Sequence, residues 1–437
     1  MDRYSSYKDS EVKWLDKIPD NWERSRIRMV GNLYGGLSGK KGDDFNREEN
    51  LFNKPFVPFT NIFNNTYISK DHFQYVNVEE GENQNRVLKN DLFFLMSSES
   101  YEDLGKSSIL LDDVEELYLN SFCKGFRIKD DRVYPLFLNY QLLGGLHKEM
   151  ISLEGNGFTR INLRQDRLLD IPVFIPPLSE QQQIVSFLDD KTQKIESLIQ
   201  QKEKKIELLK EKRTSLINHV VTKGIDTNVE MKDSGVEWIG EIPSHWEMKK
   251  VKYLFEIRKR ISGELGYDVL SVTQKGLKVK DIVSGKGQVS MDYTKYQIVN
   301  EDDFVMNHMD LLTGYVDVSK QLGVTSPDYR VFTLTDKKSN KDYYLSIFQF
   351  GYKNKIFYGS GQGSSMLGRW RLPSRQFNQF KFPYPPISEQ QQIVEYLDRQ
   401  TEEIDTLIQL EQKKIDTLKE YRQSLISEVV TGEIKVV

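Results

Sequence analysis

Two stretches of this chain place apolar residues at alternating steps of four and three. One seam is Leu188, Thr192, Ile195, Ile199, Lys202, Ile206, Leu209, Arg213, Leu216 and Val220; the other is Leu397, Thr401, Ile404, Ile408, Glu411, Ile415, Leu418, Arg422, Leu425 and Val429. That is the heptad rhythm of helices that pack on one another. Corresponding members stand 209 residues apart, and only the fifth changes character, Lys202 against Glu411. Each stretch opens on Pro-Pro, as Pro176-Pro177-Leu178-Ser179-Glu180-Gln181-Gln182 and Pro385-Pro386-Ile387-Ser388-Glu389-Gln390-Gln391. Pro-Pro forbids helix upstream, Ser179 or Ser388 suits the cap, and Gln182 or Gln391 stands at the capping-box position. The pattern predicts helices over about 179–222 and 388–431. A charge contact between Lys202 and Glu411, near the helix midpoints, is expected to help fix their register.

The rest of the chain alternates differently. Residues 25–175 and 249–384 break into short β-rich pieces, among them Asp91-Leu92-Phe93-Phe94-Leu95-Met96 and Asp303-Phe304-Val305-Met306, each segment with one helical stretch. Ahead of each lies a second repeat: Lys8-Asp9-Ser10, Ile18-Pro19 and Trp22 return as Lys232-Asp233-Ser234, Ile242-Pro243 and Trp246. Paired tryptophans beside an Ile-Pro bend predict an extended segment clamped onto a helix. The order is therefore a conserved segment (1–24), a variable domain (25–175), a central conserved region (176–248), a second variable domain (249–384) and a C-terminal conserved region (385–437). The fold class is mixed α/β, with two globular domains, two long antiparallel helices forming a coiled coil, and a pseudo-twofold internal repeat. At about 1.5 Å per residue, residues 179–222 make a rod of roughly 65 Å.

Bulk composition narrows the function. With 38% hydrophobic and 29% charged residues and no apolar run of spanning length, no membrane segment is expected. One cysteine, Cys123, and a polar N-terminus suit a reducing cytoplasm. The five histidines make no metal cluster. Net charge is −4, but residues 25–175 hold 18 Lys plus Arg against 22 Asp plus Glu, whereas 249–384 hold 22 against 13, an excess that attracts a polyanion. Catalytic motifs are missing: no phosphate-cradling loop, no cofactor-binding strand–glycine–helix unit, no nucleophile grouping. Asp226, Glu230 and Lys232 faintly resemble a nuclease's metal carboxylates, in a polar linker without a strand to hold them.

What remains is binding equipment: polar and basic loops interleaved with aromatics, at corresponding places in both domains. One pair is Gly35–Lys41 and Lys259–Gly263; another, before each Pro-Pro, is Gly155–Asn162 and Gly361–Arg371. The whole chain resembles the specificity subunits of Type I restriction-modification enzymes. The marks are Pro177-Leu178-Ser179-Glu180-Gln181 with Ile184, Pro386-Ile387-Ser388-Glu389-Gln390 with Ile393, both Ile-Pro-to-Trp segments, and Gly157-Phe158-Thr159. The second domain departs from the last mark with Ser364-Ser365-Met366. The resemblance implies a non-catalytic subunit whose two target recognition domains each read half of a split, asymmetric site in double-stranded DNA, with the helices setting the gap. It also implies two docked modification subunits, which bind S-adenosylmethionine and methylate adenine N6, and restriction subunits that use ATP and Mg; this chain itself would hold no cofactor. Candidate DNA contacts are Ser38, Lys40, Lys41, Asn61, Ser97, Lys124, Asn156, Thr159, Arg160 and Asn162 in the first domain. In the second they are Arg260, Ser262, Gln274, Lys275, Gln362, Ser364, Ser365, Arg369 and Arg371. Competing expectations are a coiled-coil scaffold with protein-binding domains, a specificity subunit of a related combined restriction-methylation system, and a self-contained nuclease.

Overall fold

The computed structural model describes residues 3–45, 48–49, 53–282, 290, 292–363 and 370–436. It divides into two compact units, Met1–Glu203 with Lys413–Val437, and Lys204–Gln412. The long helices, Leu178–Lys223 and Ile387–Val430, give a segment to each. The seam is covered throughout: Leu188, Ile195, Ile199, Ile206, Leu397, Ile404, Ile415 and Leu425 are buried, and Leu209, Leu216, Ile408 and Leu418 are half-buried.

Within the first unit the helix segments run antiparallel, since Glu196 pairs with Arg422 at 2.7 Å while the start of one helix and the end of the other meet at Trp22. The second unit repeats this, with Arg213 paired to Asp405 at 3.0 Å and Trp246 between the opposite ends. At the fifth seam position of the second helix Glu411, 2% exposed, accepts a hydrogen bond from Lys205 at 3.0 Å.

Both helices begin one residue before the predicted 179 and 388, and their caps lie two residues before Ser179 and Ser388. The carbonyl of Pro177 accepts the amides of Glu180 and Gln181, and that of Pro386 those of Glu389 and Gln390, so each proline occupies the cap position. Gln182 and Gln391 are exposed; the neighbouring Gln181 and Gln390, about 100° round the helix, are fully buried. Gln181 donates to the carbonyls of Pro176 and Arg132 and accepts from the amide of Tyr134, each at 2.7 Å. Gln390 repeats the arrangement on Pro385, Lys338 and Asn340.

The tryptophan segments are clamps, as their spacing predicts. The Trp22 indole, fully buried, donates to Glu180 at 2.9 Å, and Pro19 and Trp22 press on Gly432, which ends the second long helix with φ +77°. In the second unit Trp246 donates to Glu389 at 2.8 Å and packs with Pro243 on Gly224, at φ +79°. A left-handed residue just past a helix C-terminus is the position glycine fills at least cost. Each clamp thus holds a helix start by charge and a helix end by shape.

Each domain is built on a four-stranded antiparallel sheet of the same order. In the first it runs Gly31–Gly35, Cys123–Ile128, Leu92–Leu95, Ser107–Ile109; in the second, Phe255–Arg258, Arg330–Leu334, Phe304–Met306, Val316–Val318. The first sheet packs Leu92, Phe94, Ile109 and Phe126 into its core, the second Phe255, Phe304 and Phe332. Both share a turn that the sequences do not advertise. Asn90 and Asp302 take φ +69° and +66°, and the next residues, Asp91 and Asp303, are buried carboxylates that accept the amides of Leu88 and Asn300 at 2.8 Å. Arg127 neutralises Asp91 and Arg260 neutralises Asp303.

The linker triad meets a different setting from the one expected. Lys232 does lie on a strand, Met231–Asp233, paired with Glu241–Pro243, and Asp226 is turned onto the amide of Asn228. Among the described residues no group of three or more His, Cys, Asp or Glu could hold a metal ion, and no helix is long and apolar enough to cross a membrane.

Candidate nucleic-acid interface

In the first domain a small hairpin collects the candidate residues. Gly155–Asn156 pairs with Ile161–Leu163, which pairs in turn with Ser97–Ser98, bringing Asn156 opposite Asn162 and Asn162 opposite Ser97. Asn156, Thr159, Arg160 and Asn162 are exposed. The Arg160 guanidinium donates to Ser97 Oγ at 3.2 Å and lies 5.6 Å over the ring of Phe122. Amide, hydroxyl and guanidinium groups therefore share one edge, the mixture that can meet phosphates and base edges together. Lys124 stands on the central sheet, half-buried, opposite Gly35.

The loop at Ser38 is a separate group, tied to the segment around Gln84. The amide and hydroxyl of Ser38 donate to Gln84 Oε1, and Gln84 returns a bond to the Ser38 carbonyl. Lys40 is corrected as a free contact: its side chain is 9% exposed and its ammonium is paired with Glu82. That bond is the largest cause holding the Glu82 carboxyl down to about 2. Lys41 stays exposed, its amide donating to Asp44 at 2.8 Å. Asn61 is also corrected. It is fully buried, donates to the Ser69 carbonyl at 2.8 Å and accepts from the Ser69 amide and Asn65, so its amide stitches a turn.

In the second domain Arg260 is spent on buried Asp303 and belongs to the frame of the sheet. Ser262 is held by the carbonyl of Thr294 at 3.1 Å. Gln274 and Lys275 are exposed at the turn joining Leu270–Thr273 to Gly276–Val279. Gln362 and Arg371, both exposed, exchange backbone hydrogen bonds at 2.8 and 2.9 Å, at the base of the segment that corresponds in sequence to Gly155–Asn162. Ser364, Ser365 and Arg369 lie outside the described residues. Beneath that base sit His308 and Arg330, both buried. Burial, then the charges of Arg330 and Arg371, pushes the His308 imidazole down to about 3, and burial lowers the Arg330 guanidinium to about 10. Neither stood out in the sequence, because their burial comes from strands remote in the chain.

A family model for the Type I restriction modification DNA specificity domain matches this chain twice, over residues 19–208 and 243–420. The chain belongs to that family. Each match begins at a tryptophan clamp and runs through a variable domain into a long helix, so the specificity domain is present in duplicate. Among curated relatives, a putative type I restriction enzyme MjaX specificity subunit from Methanocaldococcus jannaschii is 25% identical over 98% of both chains. The StySPI specificity subunit of Salmonella potsdam is 20% identical, covering 96% of this chain and 90% of that one. Two solved structures share the fold at 12% identity. One is a chain from work on complex assembly and conformational transition of the type I R-M system, with a TM-score of 0.68, covering 96% of this chain and 100% of that chain. The other is the HsdS subunit from Thermoanaerobacter tengcongensis, at 0.54, covering 96% and 98%. The long-helix, two-domain architecture is therefore that of type I specificity subunits.

Proposed function

We propose that this chain is the DNA-reading subunit of a Type I restriction-modification complex, each domain reading one half of a split, asymmetric site. The observation that carries this is the duplicated frame with unlike loops: two sheets of identical strand order, each with its own clamp, presenting different polar edges. A frame kept in duplicate beneath diverged loops suits two readers of two different sequences held by one scaffold. The subunit performs no chemistry itself. Two modification subunits, carrying S-adenosylmethionine, dock on the pseudo-twofold scaffold and methylate adenine N6. Restriction subunits supply ATP- and Mg-dependent cleavage, and the complex works in the cytoplasm. The related curated proteins are named as specificity subunits, which supports the assignment of catalysis to partners.

The test is co-expression with the candidate methyltransferase subunit, followed by methylome sequencing. A split adenine-methylation motif that disappears on deleting this chain is the expected result; a motif that survives deletion refutes it. Replacing residues 25–175 with another family member's domain should alter one half of the motif only. Alteration of both halves refutes independent reading. Steep loss of DNA affinity with salt separates a DNA reader from a protein-binding scaffold.

A further inference from the structure

We propose that Phe158 is a base-reading residue of the first domain, an apolar ring that packs into the duplex of its half-site beside Arg160. This rests on the DNA-reading assignment above and sharpens it. The Phe158 side chain is completely exposed, at 106% of its reference area. Single exposed apolar residues are common, so exposure alone carries little. Its mounting sets this one apart. The hairpin stem is rooted in the core through Ile161 and Leu163, 3% and 5% exposed, and is paired on its far side to Ser97–Ser98. Gly157 turns the chain at φ +136°, where an added Cβ would stand 2.2 Å from the Arg160 carbonyl, so the turn admits glycine alone. The ring is thus carried at the tip of an anchored, glycine-set turn.

Its surroundings indicate what it meets. Residues 155–163 carry a single charge, Arg160, and no acid. The Arg160 guanidinium covers Phe122, a second exposed ring at 63%. Asn156 and Asn162 face each other across the same hairpin and are exposed. A cation for phosphate, carboxamides for base edges and an unshielded ring for a thymine methyl or an opened base step are the complementary parts of a DNA contact.

The test uses the assembled complex in a host without other adenine methylation, with methylome sequencing as the readout. In Phe158→Ala, methylation of the wild-type motif should fall roughly ten-fold or more, or one position in one half should lose its base preference, with the other half unchanged. Phe158→Trp should retain the motif, and Phe158→Ala should keep the wild-type ratio of modification subunits and its melting temperature. In duplex binding, Arg160→Ala should weaken affinity across sequences and flatten its salt dependence, whereas Phe158→Ala should leave the salt slope intact. A wild-type motif and rate in Phe158→Ala overturns the inference while leaving the DNA-reading assignment standing. Loss of modification subunits in that variant overturns it in favour of protein docking. Failure of the wild-type complex to methylate any split motif overturns the assignment itself, and this inference with it.

Discussion

Replacing Gln181 by leucine isolates the contact that joins the first variable domain to its long helix. The fully buried carboxamide is shared by three backbone groups, the carbonyls of Pro176 and Arg132 and the amide of Tyr134. Leucine has nearly the right volume and none of the bonding capacity, so all three groups lose their partner. The buried Pro176 carbonyl bears a desolvation penalty of about 1–3 kcal/mol, and the two part-buried groups, which water can reach in part, about 1 kcal/mol each. The sum is roughly 3–5 kcal/mol. For a unit of this size each kcal/mol lowers Tm by about 2–4 °C, so one melting transition should fall by roughly 6–20 °C. Gln390→Leu should cost somewhat less, because its bond to the Lys338 carbonyl is already long at 3.4 Å. The controls are the exposed neighbours: Gln182→Ala and Gln391→Ala should stay within about 0.5 kcal/mol of wild type. Thermal unfolding of the full chain, followed by far-UV circular dichroism and calorimetry, gives the comparison. A Gln181→Leu variant melting within about 2 °C of wild type, or a Gln182→Ala variant equally destabilised, would falsify this account of the junction.

Three further outcomes are expected. Ile199→Ala, at a seam position 2% exposed, should lower stability by roughly 2–5 kcal/mol in urea titrations; an unchanged midpoint would place Ile199 off the packed seam. A double-mutant cycle on Glu196 and Arg422, whose side chains are 47% and 37% exposed, should yield a coupling below about 1 kcal/mol that shrinks in high salt. A larger, salt-insensitive coupling would mean the pair is far better shielded than its exposure indicates. His147 is fully buried, with Nε2 against the Pro172 carbonyl, and burial pushes its imidazole from 6.5 down to about 4. The unfolded chain therefore gains a proton near pH 6.5 that the folded chain refuses until about 4, and stability present above pH 6.5 is lost as pH falls through that window. Over that span the loss is roughly 3 kcal/mol, and His147→Gln should remove this share of the acid sensitivity in urea midpoints taken at pH 7, 5.5 and 4.5. Equal acid sensitivity in the variant would assign the effect to other groups.

The parts of the fold visible in the sequence are those whose cause is local. A Pro-Pro stop, a heptad seam and an Ile-Pro-to-Trp spacing act over a few residues, and each recurs 209 or 224 positions on, so the long helices and the clamps could be placed directly. The cap lies two residues before the serine, because the proline carbonyl receives the first helical amides and no serine side chain is required there, and the buried glutamine is Gln181 rather than Gln182. Strands of the shared sheet show in the sequence as β-rich pieces such as Asp91–Met96 and Asp303–Met306, but their order does not, because they are only three to six residues long and pair across the chain. The chemical type of a residue does not report what its side chain is already bonded to. Lys40, Asn61 and Arg260 are engaged by Glu82, Ser69 and Asp303, while Arg160 and Asn162, though they donate to Ser97 Oγ and the Arg160 carbonyl, are exposed at the hairpin.

That division explains how the loops can diverge while the frame does not. Gln181 bonds main-chain atoms at Arg132 and Tyr134, and Gln390 does so at Lys338 and Asn340. Peptide groups are the same whatever side chains they carry, so the join between domain and helix places no demand on the sequence of the domain beyond its backbone path. The buried aspartates impose a similarly narrow demand. Asp91 and Asp303 each take one left-handed predecessor, one amide, one hydroxyl and one arginine, the hydroxyl from Tyr34 or Thr333 and the arginine from Arg127 on Cys123–Ile128 or from Arg260 just past Phe255–Arg258. The edges bearing Arg160 and Arg371 take no part in either constraint. Substitutions there change what the domain presents without loosening what holds it, which is the physical condition for a reader whose target can be altered independently of its scaffold.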